Sequence, residues 1–275
     1  MTQGSLLVLL DRSKENAARV QCAVRLAALL DWHLVGLAAT DLRDLRKVPP
    51  LADSLGATAS RVWDRLRDQA ERPVDQFRDA CRAASIASFE AHIEEADKLA
   101  AVLGHARCSD LVVLTQSEAT AGDTLVEDVV LHSPRPTLVL PRAGHHGALG
   151  ERILVAWNDT REAARAASDA LPLLRRAQRV ELVQWIDDAE HTDPHGLPPL
   201  AAPTAWLARH GVQVHADVVL AGGDVARALR ERVATSQADL VVMGAYGHAR
   251  WAEAVLGGAT RALLGAAPVP LLMSH

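Results

Sequence analysis

Aromatic side chains are scarce in this 275-residue chain, with Phe, Trp and Tyr together making up 3% of it. Leu, Val and Ala must therefore fill its cores, as they do in parallel sheets covered by helices. Only three cysteines occur, Cys22, Cys81 and Cys108, far apart and without a CxxC pair. Neither a disulfide framework nor a zinc ribbon is supported, and free thiols in a reducing compartment are the expectation. No block of Lys or Arg is present and the formal net charge is −5, whereas a general nucleic-acid binder carries a basic footprint. No apolar run approaches the ~20 residues that cross a bilayer. The apolar opening Ser5 to Leu10 meets Asp11 too early for a secretory signal and has no basic segment ahead of it. The chain reads as a cytoplasmic protein with neither nucleic-acid nor membrane partners.

Catalytic signatures are missing too. There is no Ser-centred G-x-S-x-G elbow, no Walker lysine in a glycine loop and no clear acid–base pair. Lysine is rare in the C-terminal half, which argues against P-loop transfer chemistry.

What is present is repetition. Ser109-Asp110-Leu111-Val112-Val113-Leu114 echoes Ala238-Asp239-Leu240-Val241-Val242-Met243, and Leu6 to Asp11 echoes Ile153 to Asn158. A third match links Arg135 to Pro141 with Val269 to Ser274. Short apolar, β-branched runs read as buried parallel strands, and three matches in order mean an internal duplication. The predicted strands lie at 5–10, 33–39, 85–91, 110–115 and 136–141, then at 152–157, 179–186, 212–219, 239–244 and 269–274. Helices fill the intervals, including Lys14 to Leu30, Arg161 to Leu174 and a helix capped at Gly223-Asp224 that runs to Thr235. Alternating strands and helices make a parallel sheet with right-handed crossovers. Five strands per unit suit a doubly wound sheet with its crevice at the carboxyl ends of the strands.

The expected domains are 1–143 and 151–275, joined by a linker over Arg142 to Gly150. The first is longer through an insertion near 41–84, where Arg61 to Leu66 reads as an amphipathic helix. The last strand of each half is a short apolar edge that invites pairing. The two edges are therefore expected to meet across a pseudo-two-fold axis within the chain, the contact that separate subunits make as a dimer. Further homodimerisation stays open.

One loop carries the functional signal. Behind the strand ending at Met243 stand Gly244 and Gly247, then nine residues, then Gly257, Gly258 and Thr260. Glycines let backbone N–H groups approach phosphate, and a helix beginning near Gly257 adds the partial positive charge of its amino end. This pattern, G-x2-G-x9-G followed by a hydroxyl residue, resembles that of universal stress proteins, and the resemblance covers nearly the whole chain apart from insertion and linker. It implies two flavodoxin-like domains of the adenine-nucleotide α-hydrolase type in tandem. In the family this loop cradles ATP phosphates, with adenine over the end of the first strand. Gly258 stands where the family has a hydroxyl residue, with Thr260 as the substitute, and Asn158 stands where the family has an Asp. Trp157 is bulkier than the family's aliphatic residue and either stacks on adenine or fills its place. Arg250 and Arg261 are candidates for phosphate neutralisation, with surface charge as the alternative. A purely structural turn that permits tight helix–sheet packing is the competing reading of the loop.

The first half reads Thr115-Gln116-Ser117-Glu118 after its fourth strand, without the first glycine pair, and Glu118, Asp123, Glu127 and Asp128 bring negative charge. Like charge opposes phosphate, so no ATP is expected there in the family's manner; Asp11 keeps the family's acidic residue or simply caps a turn. His191-Thr192-Asp193-Pro194-His195 lacks a fourth ligand for zinc and reads as a solvated loop, as does His145-His146. A metal such as Mg or Mn is expected only alongside ATP. The resemblance implies a nucleotide-responsive stress regulator without dedicated catalysis, acting on unknown protein partners, with slow ATP hydrolysis at most. The alternatives are an interaction scaffold with both crevices vestigial and, on fold analogy alone, an adenylating enzyme.

Overall fold

The computed structural model describes residues 4–40, 52–116, 124–143, 147–186, 200–246 and 258–275; for 52–65 and 258–261 it describes the backbone alone. Two compact units result, one of residues 1–115 with 132–135 and one of 116–131 with 136–275.

The first unit holds β1 (Ser5–Leu10), β2 (His33–Ala39), β3 (Phe89–Glu94) and β4 (Leu111–Thr115), in the order β3-β2-β1-β4. All its pairings are parallel. Leu6 to Leu10 are buried throughout, as a central strand covered on both faces requires. Helix α1 (Asn16–Leu30) ends where Asp31 turns left-handed and returns its N–H to the Ala27 carbonyl. Helix α2 (Ala52–Ala83) occupies the insertion, and its buried residues Ala70, Val74, Phe77 and Cys81 follow helical spacing. Phe77 lies directly over Gly36 of β2, where a β-carbon would come within 2.8 Å of its ring. That contact needs glycine. Helix α3 (Lys98–Ala106) starts at Asp97, whose carboxylate accepts the Ala100 N–H at 2.8 Å.

The expected strand over 85–91 is displaced to Phe89–Glu94. Ser85 is left-handed, with φ of 55°, and the α2 carboxyl end continues through bonds from the N–H groups of Ala84, Ser85 and Ile86. The helix stop therefore uses residues that read as the start of a strand.

The second unit holds helix α4 (Leu125–His132), β5 (Thr137–Leu140), β6 (Arg152–Trp157), α5 (Arg161–Asp169), α6 (Leu171–Leu174), β7 (Arg179–Ile186), α7 (Ala201–Arg209), β8 (Val214–Leu220), α8 (Val225–Ser236), β9 (Leu240–Gly244), α9 (Gly258–Gly265) and β10 (Leu271–Ser274). Its strand order is β5-β10-β9-β6-β7-β8. Every pairing is parallel except β5 with β10, which is antiparallel with Leu271 opposite Val139 and Met273 opposite Thr137. The two edge strands do meet, as their short apolar sequences demand. The helix expected from Arg161 to Leu174 divides at Ala170. Pro172 has no N–H to continue the ladder, so a second short helix begins around it.

The repeat extends to hydrogen bonds. Asp110 accepts the Ser5 N–H at 2.8 Å and pins the start of β1. Asp239 accepts the N–H groups of Gly150, Glu151 and Arg152 at 2.8 to 3.1 Å and pins the start of β6. The Asp ahead of each inner strand is thus a clamp between neighbouring strands.

Candidate functional site

Parallel β6 and β9 run side by side, with Ala156 opposite Met243, so Asn158 and Gly244 emerge together at their carboxyl ends. Helix α9 returns from β9 to the parallel strand β10, which places its amino end at the same edge of the sheet. Its described residues, Gly258–Gly265, include Thr260 and Arg261. Gly247, Arg250 and Gly257 lie outside the described residues, as do the histidines at 145, 146, 191 and 195, and Glu118 and Asp123. Glu127 and Asp128 fall in the first turn of α4.

Asn158 directs its carboxamide oxygen to the Thr160 hydroxyl at 2.7 Å. Thr160 caps α5, accepting the Ala163 N–H at 3.3 Å. Asp159 between them is left-handed, with φ of 57°. This turn sets α5 down on Gly244, where a β-carbon would lie 2.6 Å from the Ala163 nitrogen and 2.7 Å from the Glu162 carbonyl carbon. Gly244 is therefore required for packing, whatever else it does. Trp157 is half-buried beside it.

Sequence reasoning missed several neighbours. Glu162 is buried, and its carboxylate pairs with the Arg161 guanidinium. Burial pushes this carboxyl up, but the Arg161 bond, its own backbone N–H and the charges of Arg161 and His275 outweigh that and hold it below its usual value. His275 donates from Nδ1 to the Ala245 carbonyl at 3.0 Å, with the Tyr246 ring edge-on at 6.4 Å. Ser274 donates to Asp169 at 2.9 Å. A lone Glu at the first turn of a helix carries no signal of this in sequence.

The same corner of the first unit is filled differently. Arg19 is 3% exposed and lies at the carboxyl ends of β1 and β4. Its Nε donates to the Leu9 carbonyl at 2.7 Å, Nη1 to the Thr115 hydroxyl at 3.1 Å, and Nη2 to Asn16 Oδ1 at 3.2 Å. Asp11 completes the set at 2.9 Å from Nη2. Burial raises the Asp11 carboxyl, but the Arg19 charge and the bonds from Ser13 prevail and hold it low. By the repeat, Asn16, Arg19 and Thr115 correspond to Ala163, Ala166 and Gly244. A buried guanidinium in one half is replaced by small residues in the other.

A repeated, mostly parallel α/β unit with a capped helix packed on a glycine at the strand ends defines the class: two flavodoxin-like α/β units in tandem. Residues 150–275 match the universal stress protein family. That half of the chain carries the family's domain, and the two-repeat layout fits a tandem member. It is similar in fold to a universal stress protein from Archaeoglobus fulgidus, at 17% identity over 99% of this chain and 96% of that one, with a TM-score of 0.77. A candidate universal stress protein from Pseudomonas aeruginosa is 14% identical over 98% of this chain and 92% of that one, with a TM-score of 0.58. No curated protein matches the chain.

Proposed function

We propose that the second repeat binds ATP or a related nucleotide and that the protein is a stress-response regulator without dedicated catalysis. The phosphates would lie at the amino end of α9, with Gly244, Gly247, Gly257, Gly258 and Thr260 lining the approach and Asn158 facing the ribose. Backbone N–H groups and the helix dipole supply the attraction there, and Arg250 and Arg261 are candidates for the remaining charge. Mg or Mn would arrive with ATP. Partners would read the resulting change in the surface over 244–260.

The observation that supports this reading is the contrast between the two crevices. Where Arg19 and Thr115 close the first, the second carries Ala166 and Gly244. The measurement is ATP titration by calorimetry, with mass spectrometry of gently purified protein for retained nucleotide. The expected result is binding that Gly247→Val abolishes or weakens. Neither retention nor binding at millimolar ATP would sink the proposal, and pyrophosphate release dependent on a second substrate would replace it with an adenylating enzyme.

A second reading rests on Gly244. Its packing against Ala163 and Glu162 explains that glycine without any ligand, which favours an interaction scaffold. Absence of bound nucleotide together with a stability loss in Gly244→Ala would favour it.

A further inference from the structure

Gln116 follows β4 in the chain, yet its buried carboxamide grips the far end of the glycine-loop helix. Nε2 donates to the carbonyls of Leu264 at 2.7 Å and Leu263 at 3.2 Å, while Oε1 accepts the Arg142 N–H at 3.2 Å. Both amide hydrogens and one acceptor site are thereby used. The last four carbonyls of a helix have no partner within it, and in α9 these belong to Ala262 through Gly265. Arg230 of α8 donates to the Ala262 carbonyl at 3.2 Å, so side chains from two other elements hold the last turn. Its charge also complements the negative carboxyl end of the helix dipole.

The repeat shows that this grip is an addition. Gln116 and Ala245 are equivalent, and their backbones behave alike: Gln116 N–H donates to Leu140 at 2.9 Å, and Ala245 N–H to Ser274 at 2.8 Å. Only Gln116 carries a side chain that reaches a helix. We propose that Gln116 is a positioning residue for the nucleotide crevice. By fixing the carboxyl turn of α9 it fixes the axis of that helix, and so the place of its amino end. Helical stability in proteins comes mostly from tertiary contacts, so anchors of this kind decide where such a helix sits. The positioning role rests on the nucleotide reading above; the grip itself does not. The first repeat, whose own crevice is filled by Arg19, thus contributes to the crevice of the second.

Hydrogen exchange and ATP calorimetry on the full chain test this in parallel. Gln116→Leu keeps the bulk and removes both donors, and Gln116→Glu keeps the shape but loses them. Asp97→Ala, which removes the cap of α3, serves as a destabilised control. Without nucleotide, the amides of residues 262–266 should exchange about tenfold faster in Gln116→Leu and be unchanged in Asp97→Ala. ATP should bind about fivefold more weakly to Gln116→Leu and equally well to Asp97→Ala. If Gln116→Leu fails to fold, Gln116→Glu is judged by the same two readouts. Unchanged exchange over 262–266 overturns the grip. Faster exchange with unchanged ATP affinity overturns the positioning role. Wild-type protein that binds no ATP removes the nucleotide reading and the positioning role with it, while the exchange comparison still decides the grip.

Discussion

At Gly244 a methyl group would fall 2.6 and 2.7 Å from two backbone atoms of α5, distances that a side-chain rotation cannot relieve. Gly244→Ala should therefore cost about 1–3 kcal/mol, as overpacking does, read as a lower urea midpoint with an unchanged slope. Arg19 makes the opposite case, since its removal leaves Asp11 facing uncompensated polar groups. Arg19→Met should cost about 3–5 kcal/mol at neutral pH. Because the folded state holds the Asp11 carboxyl below its ordinary value of 3.8, its stabilisation is complete above that pH and fades as pH falls through the folded value. The stability gap between wild type and Arg19→Met should accordingly narrow below about pH 4, which acid titration of urea midpoints will show. Thr137 is fully buried, and its hydroxyl has no partner among the described residues. Thr137→Val keeps the shape and should raise stability by about 1 kcal/mol. Among the thiols, burial pushes Cys22 and Cys81 up to about 11, whereas Cys108 is exposed. An aromatic disulfide reagent should label Cys108 in the native protein and the other two only after unfolding.

Elements were legible where one local rule decided them. The strand runs of β1, β4, β6 and β9 are apolar and β-branched, and nothing competes with that signal. Asp224 announces α8 because a short acceptor ahead of a helical run has one use, and it accepts the Arg227 N–H at 2.9 Å. Legibility failed where two rules competed for the same residues. The α2 carboxyl turn took Ala84 to Ile86 from the expected strand, and Pro172 divided a continuous Ala-rich pattern. At the candidate site the glycines were visible, but their neighbours were not. Arg19, Glu162 and Gln116 each act through contacts distant in the chain or across a turn, and no spacing rule encodes those. Between α8 and its sheet, Arg232 joins Glu181 of β7 and Asp217 of β8, each at 2.9 Å. Arg179 remains beside Glu181 at 2.6 Å, so Arg232→Leu should loosen α8 rather than unfold the unit. Proteolysis within 225–236 is the measurement, with faster cleavage expected.

The second unit takes its outer strand from the first sequence repeat, so the duplication and the compact units do not share a boundary. Residues 150–275 alone would leave Leu271 to Met273 without the antiparallel partner that β5 supplies. That fragment should therefore self-associate through β10 and elute as a dimer on size exclusion, with a charged Leu272→Lys change returning it to a monomer or unfolding it.

The same strand exchange sets a timetable. On the ribosome, Thr137 to Leu140 emerge about 130 residues before the strand they pair with. During that interval an apolar strand edge is synthesised but unpaired, and any neighbouring nascent chain presents the same sequence. Pairing across so large a separation also forms late, because its loop must close first. The edge that unites the repeats in the finished protein is thus the one through which two unfinished chains are most apt to join, and crowded polysomes are where that hazard peaks.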